Sequence, residues 1–93
     1  MPIEEVRTFV IYDIVDDRLR TKIATACLDF GLMRIQYSAF AGRLNRNRRE
    51  ELFLRLRDTL GDDVGKILIQ PVCGKDVEQM LLHENEQAPE EEG

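Results

Sequence analysis

An α+β fold, with one antiparallel sheet and two helices on one of its faces, is predicted by the order of the apolar segments. Segments 6–14 and 66–72 are rich in β-branched residues and favour strands. Two amphipathic stretches, with apolar stripes over Leu19–Phe30 and Leu52–Leu60, favour helices. With segment 32–42 counted as two short strands, the order is the βαββαβ pattern of ferredoxin-like domains. The uncovered face of such a sheet predicts a homodimer through the sheet.

The first and the last strand along the chain are both predicted to be buried. Segment 6–14 (VRTFVIYDI) shows almost no alternation of polar and apolar residues, which is typical of a central strand buried on both faces. Asp13, near its end, is the exception. Segment 66–72 (KILIQPV) has the same apolar character, and Pro71 cannot donate to a ladder. That end of the strand is therefore an edge or an exit.

Capping residues mark the ends of both helices. Asp16 and Asp17 supply the start of the first helix and Gly31 its C′ position. Asn45 or Asn47 caps the second helix, which Gly61 ends. The predicted buried stripes are Leu19, Ile23, Cys27 and Phe30 on the first helix, and Leu52, Phe53, Leu56 and Leu60 on the second.

Three segments carry weaker signals. Segment 32–42 fits one bent strand or two very short ones, and its residues do not decide between them. Segment 75–83 has weak helical periodicity, and a short strand over 79–83 fits equally well. The polar, acidic segment 84–93 is predicted to be disordered. The expected organisation is one domain over residues 1–83 followed by an acidic tail over 84–93.

Composition excludes several classes of protein. The chain has 93 residues, of which 43% are hydrophobic and 33% charged, as in an ordinary small globular domain. No apolar run approaches the ~20 residues of a membrane span, and the acidic N-terminus lacks a signal-peptide pattern. A cytoplasmic location with no membrane partner is expected. Cys27 and Cys73 are expected to be buried apolar residues, and with His83 they do not form a zinc motif.

The net charge of −5 conceals a division along the chain. Residues 18–57 carry ten Lys and Arg against three Asp and Glu, whereas residues 61–93 carry two against nine. The first block therefore has a net charge of +7 and the second of −7. A basic block of this kind favours a nucleic-acid partner despite the acidic total.

Asp13 is the strongest candidate for a catalytic or metal-binding residue. It follows an apolar strand and precedes a helix, at a place where scaffolds present functional groups. Magnesium takes one or two carboxylates and several waters, so a single aspartate is a poor site. A two-fold axis past Asp13 would supply the second carboxylate from another copy. The alternative is a turn aspartate without function.

A basic cluster follows the middle segment. Arg43, Arg46, Arg48 and Arg49 lie within seven residues, with Arg34 just before them. Phosphate contacts by such residues give affinity without sequence readout, although a solvated helix face carries arginines as well. The aromatic residues Tyr12, Tyr37 and Phe40 are interpreted as core rather than as platforms for bases.

The segment FVIYDIVDDRLRTKIATACLDFGLMRIQYSAFAGRL resembles the second CRISPR-associated protein family, whose members are the small partners of the spacer integrase. The resemblance rests on Tyr12-Asp13-Ile14, the Asp16-Asp17 helix start, the Gly31-Leu32 break, the segment from Arg34 to Phe40, and ILIQPVC. It covers about residues 6–73, with no clear match after Gly74.

The resemblance implies a ferredoxin-like homodimer that bridges integrase dimers and holds spacer DNA. It also implies a metal-dependent endonuclease activity on RNA or double-stranded DNA, with Mg²⁺ or Mn²⁺. By position, Asp13 matches the metal-binding aspartate at the dimer axis. The other residues matched to activity are Tyr12, Arg20, Arg34 and Phe40. Lys22 stands where some members have arginine, and it joins Arg43, Arg46, Arg48 and Arg49 as an expected contact to nucleic acid.

Two other functions compete with an adaptation protein. One is an autonomous, toxin-like ribonuclease of the same fold. The other is a non-catalytic, small-molecule-sensing regulatory domain, since ferredoxin-like folds host many functions. The basic block over 18–57 disfavours the regulatory domain, whereas residue types do not separate the first two.

Overall fold

The computed structural model describes residues 4–83, and these form a four-stranded sheet with helices on one face. The elements are β1 (Val6–Ile14), α1 (Asp17–Asp29), β2 (Met33–Gln36), β3 (Ala39–Leu44), α2 (Arg46–Leu60), β4 (Gly65–Val72) and α3 (Gly74–Glu78). The sheet order is β2-β3-β1-β4, with every neighbouring pair antiparallel. The predicted βαββαβ fold is confirmed. The predicted disorder of 84–93 lies outside the described residues.

The middle segment forms two strands, which decides between the alternatives that its sequence left open. β2 and β3 pair as a hairpin whose register shifts between Arg34 and Gln36. The turn between them brings the Ser38 carbonyl to β1, where it accepts from the Tyr12 amide at 3.0 Å. The irregular register explains why a simple alternation of side chains does not reveal the break.

The helix ends lie where the capping residues predict them. The Asp16 carboxylate accepts from the Leu19 amide at 3.0 Å, and the Asn45 amide oxygen accepts from the Arg48 amide at 2.8 Å. Of the two asparagines that fitted, Asn45 is thus the cap. Gly31 and Gly61 follow the two helices with φ of 83° and 57°, a region that favours glycine.

The core lies between the sheet and helices α1 and α2. β1 contributes alternate residues to it, and the largest buried side chains from the other elements pack on these. Burying each large aliphatic or aromatic side chain stabilises the fold by about 1.5–3 kcal/mol. The fully buried large residues are Val10, Ile23, Phe40, Leu52 and Leu56. None of the helices over residues 4–83 is long and apolar enough to cross a bilayer.

The opposite face of the sheet is open. The prediction that β1 and β4 are buried on both faces is therefore wrong. β1 is central, but only its even-numbered residues are buried, while Ile11 and Asp13 on the other face are exposed. β4 is an edge strand with no buried residue. Within the described residues, α1 and α2 cover one face, and only the short α3 lies beside the Arg7 and Arg43 end of the other. Ile11 and Leu68 therefore remain exposed there.

Three further predictions of burial are wrong. Phe53 is 42% exposed, because it lies at the margin between α2 and the edge strand β4. Tyr37 is 71% exposed, because it lies in the β2–β3 turn. Cys73 is exposed at the start of α3, where its thiol lies 3.4 Å from the Asp76 carboxylate. Cys27 is buried as predicted.

The segment after β4 starts as a short helix. α3 covers only Gly74–Glu78, and no strand follows within the described residues. The weak helical periodicity is therefore confirmed over its first half, and the alternative of a strand over 79–83 is wrong for the single chain. Leu81 and Leu82 are 98% and 80% exposed, since no part of the described fold packs on them.

Candidate functional site

Asp13 projects from the penultimate position of β1 onto the open face. It is exposed and lies directly opposite Lys66 of β4 in the strand register. No salt bridge from its carboxylate forms within residues 4–83. This matches the prediction that a strand end presents this carboxylate to solvent or to a partner.

One copy of the chain does not supply a metal site around Asp13. Among the described residues, no group of three or more His, Cys, Asp or Glu is placed to hold an ion. A lysine faces Asp13 across the strand pair and opposes a cation there. Two copies of Asp13 related by a two-fold axis would provide the one or two carboxylates that magnesium takes. A divalent ion at Asp13 would therefore need ligands beyond the described residues of one copy.

Tyr12, Arg34 and Phe40 lie together on the helix side of the sheet. The rings of Tyr12 and Phe40 stack with centroids 6.4 Å apart and planes 19° apart. The Arg34 guanidinium lies over the Phe40 ring at 5.0 Å from its centroid. Burial raises the pKa of the Tyr12 phenol, against a smaller lowering by the Arg34 charge.

Arg20 closes the connection between β1 and α1. Its Nη1 donates to the carbonyl oxygens of Ile14 at 2.9 Å and of Val15 at 3.1 Å, and its Nη2 pairs with the Asp17 carboxylate. Its guanidinium also lies 5.6 Å from the centroid of the Tyr37 ring. Most of its donors are thus satisfied by the protein, which gives Arg20 a structural role in addition to any contact with a ligand.

The five residues matched to activity therefore form two groups on opposite faces. Successive residues of a strand point to opposite sides of a sheet, and Tyr12 and Asp13 are successive. Asp13 lies alone on the open face. Tyr12, Arg20 and Arg34 line a small pocket on the other side, and Phe40 is buried beneath it, against Tyr12 and Arg34. Alternation along β1 is visible in the sequence and would have revealed this division.

The basic residues expected to contact nucleic acid differ in how free their charges are. Arg46 pairs with Glu50 at 3.2 Å, and Arg48 pairs with Glu51 at 3.1 Å. The Arg48 guanidinium also lies 4.1 Å from the centroid of the Phe30 ring. The other three make no salt bridge within residues 4–83: exposed Lys22 on α1, Arg43 on β3, and half-buried Arg49 on α2.

Arg7 is a further candidate that the sequence did not single out. It lies directly opposite Arg43 in the β1–β3 register, and neither makes a salt bridge within the described chain. Arg43 donates to the Glu5 carbonyl at 3.3 Å. Like charges in this position destabilise a strand pair, and Glu4, Glu5 and Glu78, which line the same pocket, offset part of the repulsion. Only the long-range register brings these residues together, so no local signal predicts the pair.

Comparison with known proteins identifies what this chain is similar to. A family model described as CRISPR associated protein Cas2 matches residues 6–80. Proteins named CRISPR-associated endoribonuclease Cas2 match from Desulforudis audaxviator, with 55% identity over 76% of this chain and 67% of the relative, and from Archaeoglobus fulgidus, with 47% identity over 69% and 68%. The family match extends to residue 80, beyond the limit of 73 that the resemblance suggested.

Solved structures share the fold. A crystal structure of a hypothetical protein from Thermus thermophilus matches with a TM-score of 0.70 and 34% identity, over 76% of this chain and 85% of that one. A crystal structure described as Cas2 matches with a TM-score of 0.70 over 95% and 98% of the two chains. Its sequence identity is 23%, so that second likeness concerns the fold alone.

Proposed function

Since this chain belongs to the CRISPR-associated Cas2 family, we propose that it is a CRISPR adaptation protein that binds nucleic acid as a homodimer and bridges copies of the spacer integrase during spacer acquisition. The family match over residues 6–80 is the observation that carries the proposal. The cytoplasm, where the chromosome lies, is the expected location.

The open sheet face supports the homodimer. Ile11 and Leu68 face each other across β1 and β4 and are 46% and 52% exposed. By register, half-buried Phe9 belongs to the same side of the sheet, where Ala39 and Ala41 are already buried within the chain. A second copy of this face is self-complementary in an isologous dimer and removes this apolar surface from water.

The unpaired arginines support binding of double-stranded DNA or RNA. Arg7 and Arg43 form a like-charged pair at one end of the sheet, and Arg49 lies at the start of α2. Phosphate oxygens satisfy such guanidiniums without reading a base. The acidic total charge does not prevent this, because residues 18–57 carry ten Lys and Arg against three Asp and Glu.

A metal-dependent endonuclease activity is the second role that we propose. The curated relatives are named endoribonucleases, which favours RNA as the substrate and keeps an autonomous, toxin-like ribonuclease as the alternative function. Asp13 from each subunit would hold Mg²⁺ or Mn²⁺ at the dimer axis. The ion supplies Lewis-acid stabilisation of charge on the scissile phosphate. The chain itself contributes the paired carboxylates and the arginines that hold the strand.

Asp13→Asn separates the two roles in one paired experiment. The amide keeps the size of the side chain but loses the charge that holds a divalent ion. We expect cleavage of RNA or duplex DNA by the purified protein to be lost, with dimerisation and DNA binding retained. Spacer acquisition in cells with the cognate integrase should continue.

The paired outcome decides which role is primary. Loss of acquisition with loss of cleavage would contradict an adaptor that works without catalysis. Undiminished cleavage by the variant would end the assignment of Asp13 as the metal ligand. Asp62→Asn is a matched control, because Asp62 is an exposed aspartate after α2 and should alter neither assay.

A further inference from the structure

A small pocket lies on the helix side of the sheet, where β1 ends and α1 begins. Its volume is about 170 Å³, and its walls are Tyr12, Asp17, Arg20, Thr21, Arg34 and Tyr37. That volume equals about five or six water molecules at roughly 30 Å³ each. It is well below the ~300–1,000 Å³ of pockets that hold drug-sized ligands. The pocket therefore has room for one small polar group and not for a nucleoside.

The Tyr12 phenol is buried in the pocket wall without a protein partner. Tyr12 is 3% exposed, and its hydroxyl makes no hydrogen bond to any residue between 4 and 83. Such a group is costly unless something in the pocket bonds to it. Burial raises the pKa of this phenol, so it remains a protonated donor at neutral pH. The Tyr12 hydroxyl is thus a hydrogen-bond donor without an acceptor among the described residues.

Arg34 adds a positive charge with free donors. Its Nη1 donates to the Tyr37 carbonyl at 2.6 Å, while its Nε and Nη2 have no hydrogen-bond partner within the described part of the chain. The Phe40 ring lies under its guanidinium. Tyr37 is therefore a positioning residue: its carbonyl holds Arg34, and its ring lies under Arg20.

The other charges in the pocket compensate each other. The Asp17 carboxylate pairs with Arg20, whose Nη1 donates to the Ile14 and Val15 carbonyls. The pocket is left with the charge of Arg34 and the hydroxyl donor of Tyr12. This combination favours a small anion that presents several acceptors, whereas a cation meets no free carboxylate here.

We infer that this pocket binds a single phosphate group through the Tyr12 hydroxyl and the Arg34 guanidinium. The planar fork of an arginine matches two oxygens of a phosphate, and the volume suits a tetrahedral anion with a few waters. The assignment of that phosphate to a nucleic-acid strand rests on the proposed function. The pocket lies on the face away from Asp13, so the phosphate it holds is not the one beside Asp13 of the same subunit.

Titration of the full chain with inorganic phosphate, followed by amide chemical shifts, tests the pocket directly. Saturable shifts should centre on β1, α1 and the β2–β3 turn. Tyr12→Phe removes only the hydroxyl and keeps the ring that stacks on Phe40. We expect it to weaken binding by at least about tenfold, as for a hydrogen bond to a charged group. Arg34→Gln should weaken binding more, whereas Arg18→Gln, an exposed arginine on α1 outside the pocket, should have little effect.

Equal affinity of wild type and Tyr12→Phe would overturn the inference and indicate an adventitious ion only. The absence of saturable shifts in the wild type would overturn it too. Because Tyr12→Phe keeps the core ring, the test remains valid if Arg34→Gln fails to fold.

Duplexes with and without terminal phosphates identify the source of the group. If Tyr12→Phe weakens only the phosphorylated duplex, the pocket holds a strand end; if it weakens both equally, the pocket holds an internal phosphodiester. No effect on either duplex would overturn a nucleic-acid source. If the chain binds inorganic phosphate in the pocket but binds no duplex, the phosphate site is supported and the proposed function is contradicted.

Discussion

At the scale of single residues, the neighbours of a side chain decide its role more than its type does. Tyr12 and Asp13 are adjacent in the chain, yet one is buried beside the helices and the other is exposed on the open face. Arg20 and Arg34 both match positions linked to activity. Arg20 has most of its donors bound to the β1–α1 connection, while Arg34 keeps two nitrogens free. Only Arg34 is thus well placed to hold a ligand.

Arg20→Lys should destabilise the chain through that connection. A lysine does not present the planar fork that reaches two carbonyls and the Asp17 carboxylate together. We expect the free energy of unfolding in urea to fall by about 1–2 kcal/mol. The control Arg18→Lys changes an exposed arginine on the same helix and should stay within about 0.5 kcal/mol of wild type. An equal effect of the two variants would contradict the structural role of Arg20.

Cys27 should make the stability of the chain depend on alkaline pH. Burial raises the pKa of this thiol from 9.0 to about 12. Between these values the unfolded chain loses the thiol proton while the folded chain keeps it, so stability falls as pH rises above about 9. From pH 8 to pH 10 we expect a loss of about 1 kcal/mol in wild type that is absent in Cys27→Ala. Parallel pH profiles for the two proteins, measured by urea unfolding, would contradict this.

At the scale of elements, the ends of helices were predictable and the environment of strands was not. Asp16, Gly31 and Asn45 act within one turn of their own position, so local sequence determines them. The exposure of β4 and the opposition of Arg7 to Arg43 depend on which strands become neighbours. That information is long-range, and an apolar strand looks the same whether a helix or a second subunit covers it.

Within α2, Arg49 should contribute more to nucleic-acid binding than Arg46. Both lie in the first two turns, but Arg46 pairs with Glu50, whereas Arg49 makes no salt bridge within the described chain. A neighbouring carboxylate lowers the positive potential that a phosphate meets. Arg49→Gln should therefore weaken binding to a duplex several-fold more than Arg46→Gln, equally for any sequence, in a fluorescence-anisotropy titration. A larger effect of Arg46→Gln than of Arg49→Gln would contradict this and show that the Arg46–Glu50 pair opens on binding.

At the scale of the whole molecule, the order of the elements predicts a sheet with one face that the chain does not cover. The order of strands and helices was readable from apolar periodicity and caps, and with it the existence of one uncovered sheet face. The pocket around Tyr12 was not readable, because it requires residues from β1, α1, β2 and the turn to converge. The expectation that two copies of Asp13 meet stays a prediction.

Ile11→Lys should prevent formation of the proposed homodimer. Ile11 lies on the open face, opposite Leu68, and a lysine there would put a charge into the apolar surface that the proposed dimer buries. Light scattering at micromolar concentration should give a dimer mass for wild type and a monomer mass for the variant. Leu28→Lys is the control, because Leu28 is an exposed apolar residue of α1, on the other side of the sheet. A wild-type monomer, or monomers from both variants, would contradict a dimer through this face.

Binding of duplex DNA at two salt concentrations tests most directly the claim that this chain handles nucleic acid through its arginines. With about three phosphate contacts, affinity should fall a few tens-fold between roughly 50 and 200 mM salt, because each contact releases counterions. Two unrelated sequences should behave alike, since phosphate contacts carry no sequence information. Equal affinity at both salt concentrations, or binding of only one of the sequences, would contradict the account.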